Sequence, residues 1–155
     1  MTRDRRRKAA VRKLQDLTGS TYSASLRKYN ELPSFEQVLD NQPQLTFFGF
    51  GVFYDRRESA AERQREFLVE RAELLQQEAH VTKIRDWLLQ NIAPIKTPRQ
   101  GSYGVKHVVE RAMGTYVSNG ELIAAALMAD YPMARPHGNV DLGMSQRDLD
   151  RAREG

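Results

Sequence analysis

The sequence has no cysteine, and that absence excludes several kinds of site. Disulfides, thiol catalysis and cysteine-based zinc or iron–sulfur centres all require this residue. Long hydrophobic runs are also missing, since no uninterrupted apolar stretch approaches the roughly 18 residues that a membrane helix needs. The basic N-terminus is not followed by a hydrophobic segment, which is unlike a secretory signal. We therefore expect a cytoplasmic protein without membrane contact.

Histidine is scarce, and its three copies are His80, His107 and His137. Their spacing does not match a zinc signature such as H-E-x-x-H. His107 and Glu110 lie one helical turn apart beside Lys106, and only this group suggests a metal-dependent activity or a general base. The sequence contains no Walker loop, no G-x-G-x-x-G motif and no G-x-S-x-G elbow. We predict no catalytic residue, no metal site and no cofactor, and an enzyme is the least favoured class.

Positive charge is concentrated at one end of the chain. A length of 155 residues with 40% hydrophobic and 28% charged residues suits one globular domain. Residues 1–28 hold nine Lys or Arg against two Asp, a net charge of +7, whereas the remainder has 15 basic and 18 acidic residues, a net charge of −3. Such a cluster is typical of phosphate-backbone binding, although an acidic protein surface would attract it as well. The nine basic residues are Arg3, Arg5, Arg6, Arg7, Lys8, Arg12, Lys13, Arg27 and Lys28.

Residues 1–30 are typical of a basic helical hairpin arm. Apolar residues recur at helical spacing from Ala9 to Leu17, and Gly19 then breaks the pattern. The segment does not fit a standard helix-turn-helix motif, because Gln15 stands where a small residue is usual. The alternative to nucleic-acid contact is a solvated basic helix that packs on the body through its leucines.

Residues 31–93 form a helical section that includes an aromatic, β-like segment. A short helix begins at Ser34, and residues 45–54 are rich in strand-forming aromatics that could stack on bases but more often form core. The following long helix carries an apolar stripe through Leu68, Ala72, Leu75 and Ala79, which Phe67 and Leu74 widen. A second register begins at Val81, so we predict a break near 80–82. Its charged faces would be solvated or would pair in a dimer.

Residues 94–101 hold two prolines and one glycine, so we expect a linker there. Residues 102–155 then form a C-terminal section resembling a helix-turn-helix unit, with helices 103–113, 119–131 and 146–153. The last of these is the better recognition helix, through Arg147 and Arg151. The loop before it contains turn formers and can form a small hairpin.

The helix that begins at Asn119 is expected to be the central core element. Its run LIAAALMA is almost uncharged, and a helix this apolar has to be covered on most faces. Ser118 and Glu121 have the spacing of a capping box at its start. The fold class predicted is therefore mainly α, with room for a small β-hairpin.

Two segments, RKLQDLTGSTYSASLRKY and SYGVKHVVERAMGTYVSNGELIAAALMADY, resemble segments of small uncharacterised proteins encoded on bacterial plasmids, phages and integrated elements. The resemblance covers about a third of the chain and carries no site residues. It implies accessory DNA binding, transfer or segregation, or interference with a host system. We predict a non-enzymatic accessory protein that binds nucleic acid, and we expect the partner to be DNA rather than RNA. The alternative is a protein-interaction module that inhibits or adapts a host nuclease, defence or transfer complex, and a homodimer suits either function.

Overall fold

The computed structural model describes residues 2–52, 57–135 and 140–155, and this part of the chain is mainly α-helical with small antiparallel sheets. The predicted fold class is confirmed. No helix among the described residues is long and apolar enough to cross a membrane. The helices are α1 (Arg3–Thr18), α2 (Tyr22–Glu31), α3 (Phe35–Asn41), α4 (Ala60–Leu75), α5 (Glu78–Asn91), α6 (Ser102–Met113), α7 (Asn119–Met128) and α8 (Gln146–Glu154). The strands are β1 (Leu45–Thr46), β2 (Gly49–Phe50), β3 (Gln100–Gly101), β4 (Met133–Ala134) and β5 (Asp141–Leu142).

Helix α7 is the central core element, as its composition predicts. It packs chiefly on α5 and also contacts α3, α6 and β2. Its residues from Leu122 to Ala126 are fully buried, whereas Leu127 is only partly buried. The capping box is present, with Ser118 Oγ accepting from the Glu121 amide at 3.1 Å and Glu121 Oε2 accepting from the Ser118 amide at 2.8 Å. The helix ends at Met128 rather than residue 131.

The first turn of α7 lies against the backbone of the β1–β2 hairpin, which the aromatic segment forms. The Gly120 amide donates to the carbonyl oxygen of Phe47 at 3.0 Å. A Cβ atom at Gly120 would lie 1.8 Å from the Thr46 carbonyl oxygen. Because the obstacle is backbone, only glycine allows this approach. Phe53 and Tyr54 of the predicted segment lie outside the described residues.

The predicted helix break comes too late in the chain, and the predicted apolar stripe is misplaced at its centre, because only Leu74 at its edge is buried. Helix α4 ends at Leu75 and α5 begins at Glu78, so the break precedes 80–82. Leu74 is the buried residue of α4, while Leu68 and Leu75 are 55% and 52% exposed.

The reason for the misplaced stripe is that α4 docks through a polar residue. Arg71 Nη1 donates to the carbonyl oxygens of Gln42 and Leu45, both at 2.8 Å, and Nη2 donates to Leu39 at 2.7 Å. The carbonyls of Leu39 and Gln42 lie at the C-terminal end of α3, where the last carbonyls of a helix have no helical amide to bond with, and that of Leu45 lies in β1. Desolvation lowers the pKa of Arg71, against the opposing effect of Asp40. The spacing of apolar residues therefore does not identify the face of α4 that packs on the protein, because an arginine makes the contacts of that face.

A second sheet, of order β3-β5-β4, joins residues on either side of α6 and α7. Strands β4 and β5 form the predicted C-terminal hairpin, and residues 136–139 between them lie outside the described residues. The predicted linker is bound to this sheet, since the Ile95 amide donates to Gly143 and the Arg99 amide to Leu142. One hydrophobic cluster contains residues from all three predicted sections of the chain, 1–30, 31–93 and 102–155. Ala10, Leu88 and Leu149 are examples, one from each section.

We expect Gly120→Ala to destabilise the fold by on the order of 3 kcal/mol, because the new methyl group would overlap backbone that has to move. Gly104→Ala is the matched control, since Gly104 lies within α6 and a Cβ there meets nothing within 4 Å. That control should stabilise by roughly 0.5–1 kcal/mol through helix propensity. Urea denaturation of both variants checks this. Equal stability of the two would contradict the close approach.

Candidate nucleic-acid interface

Helix α1 buries a narrow apolar face and presents its basic residues on the others. Ala10, Val11 and Leu14 are buried where α1 packs on α5 and α2. The positions of the predicted basic residues follow from that packing, because the remaining directions around the helix face solvent. Arg6 is partly buried, and the other α1 residues of the predicted site are exposed: Arg3, Arg5, Arg7, Lys8, Arg12 and Lys13.

Helix α2 adds two further cations beside α1. Gly19, with φ of 68°, ends α1 in the left-handed conformation, and Thr21 caps α2 by accepting from the Ala24 amide. Arg27 and Lys28 are both exposed on α2. The two helices are therefore present as the sequence predicts, with all nine basic residues on one helical pair.

Most of these cations are not engaged within the protein. Lys8 Nζ lies 3.1 Å from Asp4 Oδ2, and Arg7 Nη2 donates to Asn30 Oδ1 at 3.3 Å. The other seven side chains form no hydrogen bond or ion pair with any other described residue: Arg3, Arg5, Arg6, Arg12, Lys13, Arg27 and Lys28. Their charge is therefore available to an external anion.

A cleft of about 950 Å³ lies between α1, the α2–α3 connection and α5. Three of the predicted residues, Arg3, Arg6 and Arg7, line it. Two cations that the sequence analysis did not include, Lys83 and Arg85, line it from α5. Nothing in the local sequence indicates them, because it is the packing of α1 on α5 that brings segments far apart in the chain together.

One wall of the cleft is held by a buried hydrogen-bonded group. Tyr29 Oη donates to Asp86 Oδ1 at 3.1 Å and accepts from Arg85 Nη2 at 2.7 Å. Arg85 also lies 3.0 Å from Asp86, which is 4% exposed. Desolvation is the largest of the effects that raise the pKa of Tyr29, so the phenol remains a neutral donor. The group fixes α2 against α5 and neutralises Arg85.

The other two predicted residues, Arg147 and Arg151, lie on α8. Both are exposed, and Arg151 Nη1 is 3.4 Å from Asp148 Oδ1. Helix α8 packs on α6, and neither arginine lines the cleft. The predicted C-terminal helices are present, but α7 is too deeply buried to enter a groove.

The group around His107 closes the turn between α6 and α7. Glu110 Oε1 accepts from Lys106 Nζ and from the Val117 amide, both at 3.1 Å, and Oε2 lies 2.9 Å from His107 Nδ1. Lys106 also donates to the Val117 carbonyl at 3.1 Å. The carboxylate is occupied by structural contacts on both oxygens. Among the described residues, no group of three or more His, Cys, Asp or Glu could hold a metal ion.

Glu110 should contribute stability that depends on pH. Desolvation opposes its ionisation, but the hydrogen bonds from Val117, Lys106 and His107 outweigh this and lower its pKa below 4.5. A depressed folded pKa gives stabilisation that is fully present above the unfolded pKa and is lost as pH falls through the folded one.

We expect Glu110→Gln to destabilise by about 1–2 kcal/mol at pH 7, because hydrogen bonds to a charged group become weaker ones. The difference from the parent protein should shrink as pH falls below the ordinary glutamate pKa and through the lower folded pKa of Glu110. Urea denaturation at pH 7 and pH 3 measures it. Glu73→Gln, at an exposed position of α4, is the control that should change little. A pH-independent difference would contradict the assigned role.

Comparisons of the chain with known protein families, curated proteins and solved structures find no match. A functional proposal therefore depends on the geometry and charge described above.

Proposed function

We propose that the protein is a non-enzymatic nucleic-acid-binding accessory protein, and that the α1–α2 pair is its binding surface. The observation that carries the proposal is the set of seven unengaged cations on two adjacent helices. The accessory role is inferred from the sequence resemblance alone, since the comparisons find no match. DNA is the proposed partner.

The geometry of α1 suits a phosphate backbone. Arg5, Lys8 and Arg12 recur at spacings of three and four, so they share one face of the helix. Arg5 and Arg12 are unengaged, and Lys8 can exchange its exposed ion pair with Asp4 for a phosphate at little cost. At 1.5 Å per residue they extend over roughly 10 Å. Duplex DNA carries one negative charge per about 1.7 Å of its axis, so this row can meet several phosphates at once. Such contacts bind without reading sequence.

The sharpest test replaces exposed cations without touching the core. Deleting residues 1–13 would also remove the buried Ala10 and Val11, so it would unfold α1 as well as discharge it. Arg12→Gln with Lys13→Gln removes two exposed charges and leaves the buried face intact. Arg65→Gln with Lys96→Gln is the matched control, because it removes two exposed charges elsewhere.

We expect the Arg12/Lys13 double variant to bind a duplex oligonucleotide about tenfold or more weakly at low salt. The slope of log affinity against log salt should fall by about two, since two counterions fewer are released. Fluorescence anisotropy across a salt series gives both values. The control pair should keep the parent slope. Equal losses in both double variants would mean that net charge, rather than this surface, controls binding.

A second candidate function is protein interaction through α4. Helix α4 exposes three large apolar residues, with Leu68, Val69 and Leu75 at 55%, 67% and 52% exposure. Exposed apolar clusters on a water-soluble surface are characteristic of interfaces. The helix could pair with a second copy of the chain, and charged residues flank the cluster as in paired helices.

If α4 forms a homodimer, Leu68→Glu should convert the dimer to a monomer, because a charge would be buried at the interface. Sedimentation velocity measures the change. Ser23→Glu adds the same charge at an exposed position of α2, away from the α4 surface, and should leave the dimer intact. A parent protein that sediments as a monomer at micromolar concentration contradicts the homodimer. A pull-down from bacterial lysate that survives nuclease treatment would instead favour a different protein partner.

A further inference from the structure

Arg6 is in an unusual position for a charged side chain. Its Nε and Nη1 atoms are buried, and neither has a hydrogen-bond acceptor. Buried donors are almost always paired, and an unpaired charged donor is costly. The cleft lies directly beside this side chain, since Arg6 is one of its lining residues. Because Nε and Nη1 are enclosed, an anion in the cleft would reach the guanidinium through Nη2, and its negative charge would offset a cation that has no acceptor within the described residues.

The charges that line the cleft favour an anion. Arg3 and Lys83 are unengaged cations on either side of it, from α1 and α5. Of the three lining carboxylates, Asp4 is paired with Lys8 and Asp86 with Arg85. Glu78 is the remaining carboxylate, and it forms no ion pair with another described residue. The unengaged charges that line the cleft are therefore three cations, Arg3, Arg6 and Lys83, and one carboxylate, so their net charge is positive.

Helix α5 adds a further attraction for negative charge. Its N-cap residue, Gln77, makes no side-chain capping hydrogen bond. The first two residues of the helix, Glu78 and Ala79, line the cleft. The amides of a first helical turn have no helical partner and carry the positive end of the helix dipole. Phosphate groups bind readily at such helix starts.

We propose that this cleft binds one phosphate group, with the Arg6 guanidinium as its main ligand and Lys83 as the opposing cation. Arg6 Nη2 carries two N–H donors, and hydrogen bonds from a charged donor to a phosphate oxygen are stronger than neutral ones. Tyr29 and Asp86 already engage the Arg85 guanidinium in the wall of the cleft, so Arg85 shapes that wall and is not a ligand of the phosphate. The inference extends the proposed function by adding one discrete anion site to a surface that otherwise binds phosphate diffusely.

The phosphate can come from a nucleic-acid backbone or from a free phosphomonoester. The two sources are separated by titrating inorganic phosphate and, in parallel, a dinucleotide with one internal phosphodiester and no terminal phosphate. Both titrations use the full chain at constant ionic strength adjusted with chloride. Calorimetry gives the affinity and the number of sites.

We expect saturable binding of inorganic phosphate to one site in the parent protein and in Arg65→Gln, an exposed residue of α4 that lies outside the cleft lining. Arg6→Gln should weaken this binding at least about tenfold, since it removes a charged hydrogen-bond donor. Lys83→Gln should also weaken it, and it leaves α1 unchanged if Arg6→Gln alters the fold. A dinucleotide that binds as tightly as inorganic phosphate identifies the backbone as the source, and weaker dinucleotide binding identifies a phosphomonoester.

Unsaturable phosphate binding in the parent protein, or equal affinity in the parent, Arg6→Gln and Lys83→Gln proteins, would overturn the anion site. These outcomes are independent of duplex binding by α1 and α2. If the parent protein bound inorganic phosphate but not duplex DNA, the proposed function would be refuted and the anion site would still be supported.

Discussion

The burial of α7 on nearly every side is the constraint on which the rest of the structure depends. Glu121 shows how tightly the helix is fixed, because one oxygen caps the Ser118 amide and the other lies 3.1 Å from His80 Nδ1 on α5. This carboxylate is 2% exposed, so its two partners replace the water that it loses. Helix α5 contacts α7 and α1. The position of the basic helix is therefore set by the core helix through α5.

The division between core and surface explains why so much charge can stay on one helix. Helix α1 needs only Ala10, Val11 and Leu14 to attach to the body, so most of its circumference is free to carry cations. Mutual repulsion among those cations is offset by the buried contacts and by the Tyr29–Arg85–Asp86 group, which holds the neighbouring α2 in place. The cations are thus carried by two helices that are both fixed to the body of the protein.

The elements that could be predicted are those whose signals are local. The capping box of Ser118 and Glu121 predicts one helix start and Ser34 predicts another, and both helices begin there in the structure with a capping box formed. The buried side of α4 could not be predicted, because Arg71 is directed by the carbonyls of α3 and β1 rather than by neighbours in sequence. The basic residues of the candidate site are visible in the sequence as a cluster. Their cleft is not, since Lys83 joins it only through the contact of α1 with α5.

The C-terminal sheet has a consequence for the order of events during synthesis. Strand β5 lies between β3 and β4, yet both of its neighbours precede it in the chain. A ribosome therefore releases β3, α6, α7 and β4 before the strand that joins the two edges. Until residue 142 has emerged, the amides of Arg99 and Ser102 lack the carbonyls that they reach in the finished protein. Helix α7 can already pack on α3, α5 and α6 at that stage, because all three precede it in the chain, so the nascent chain completes its helical core before its second sheet.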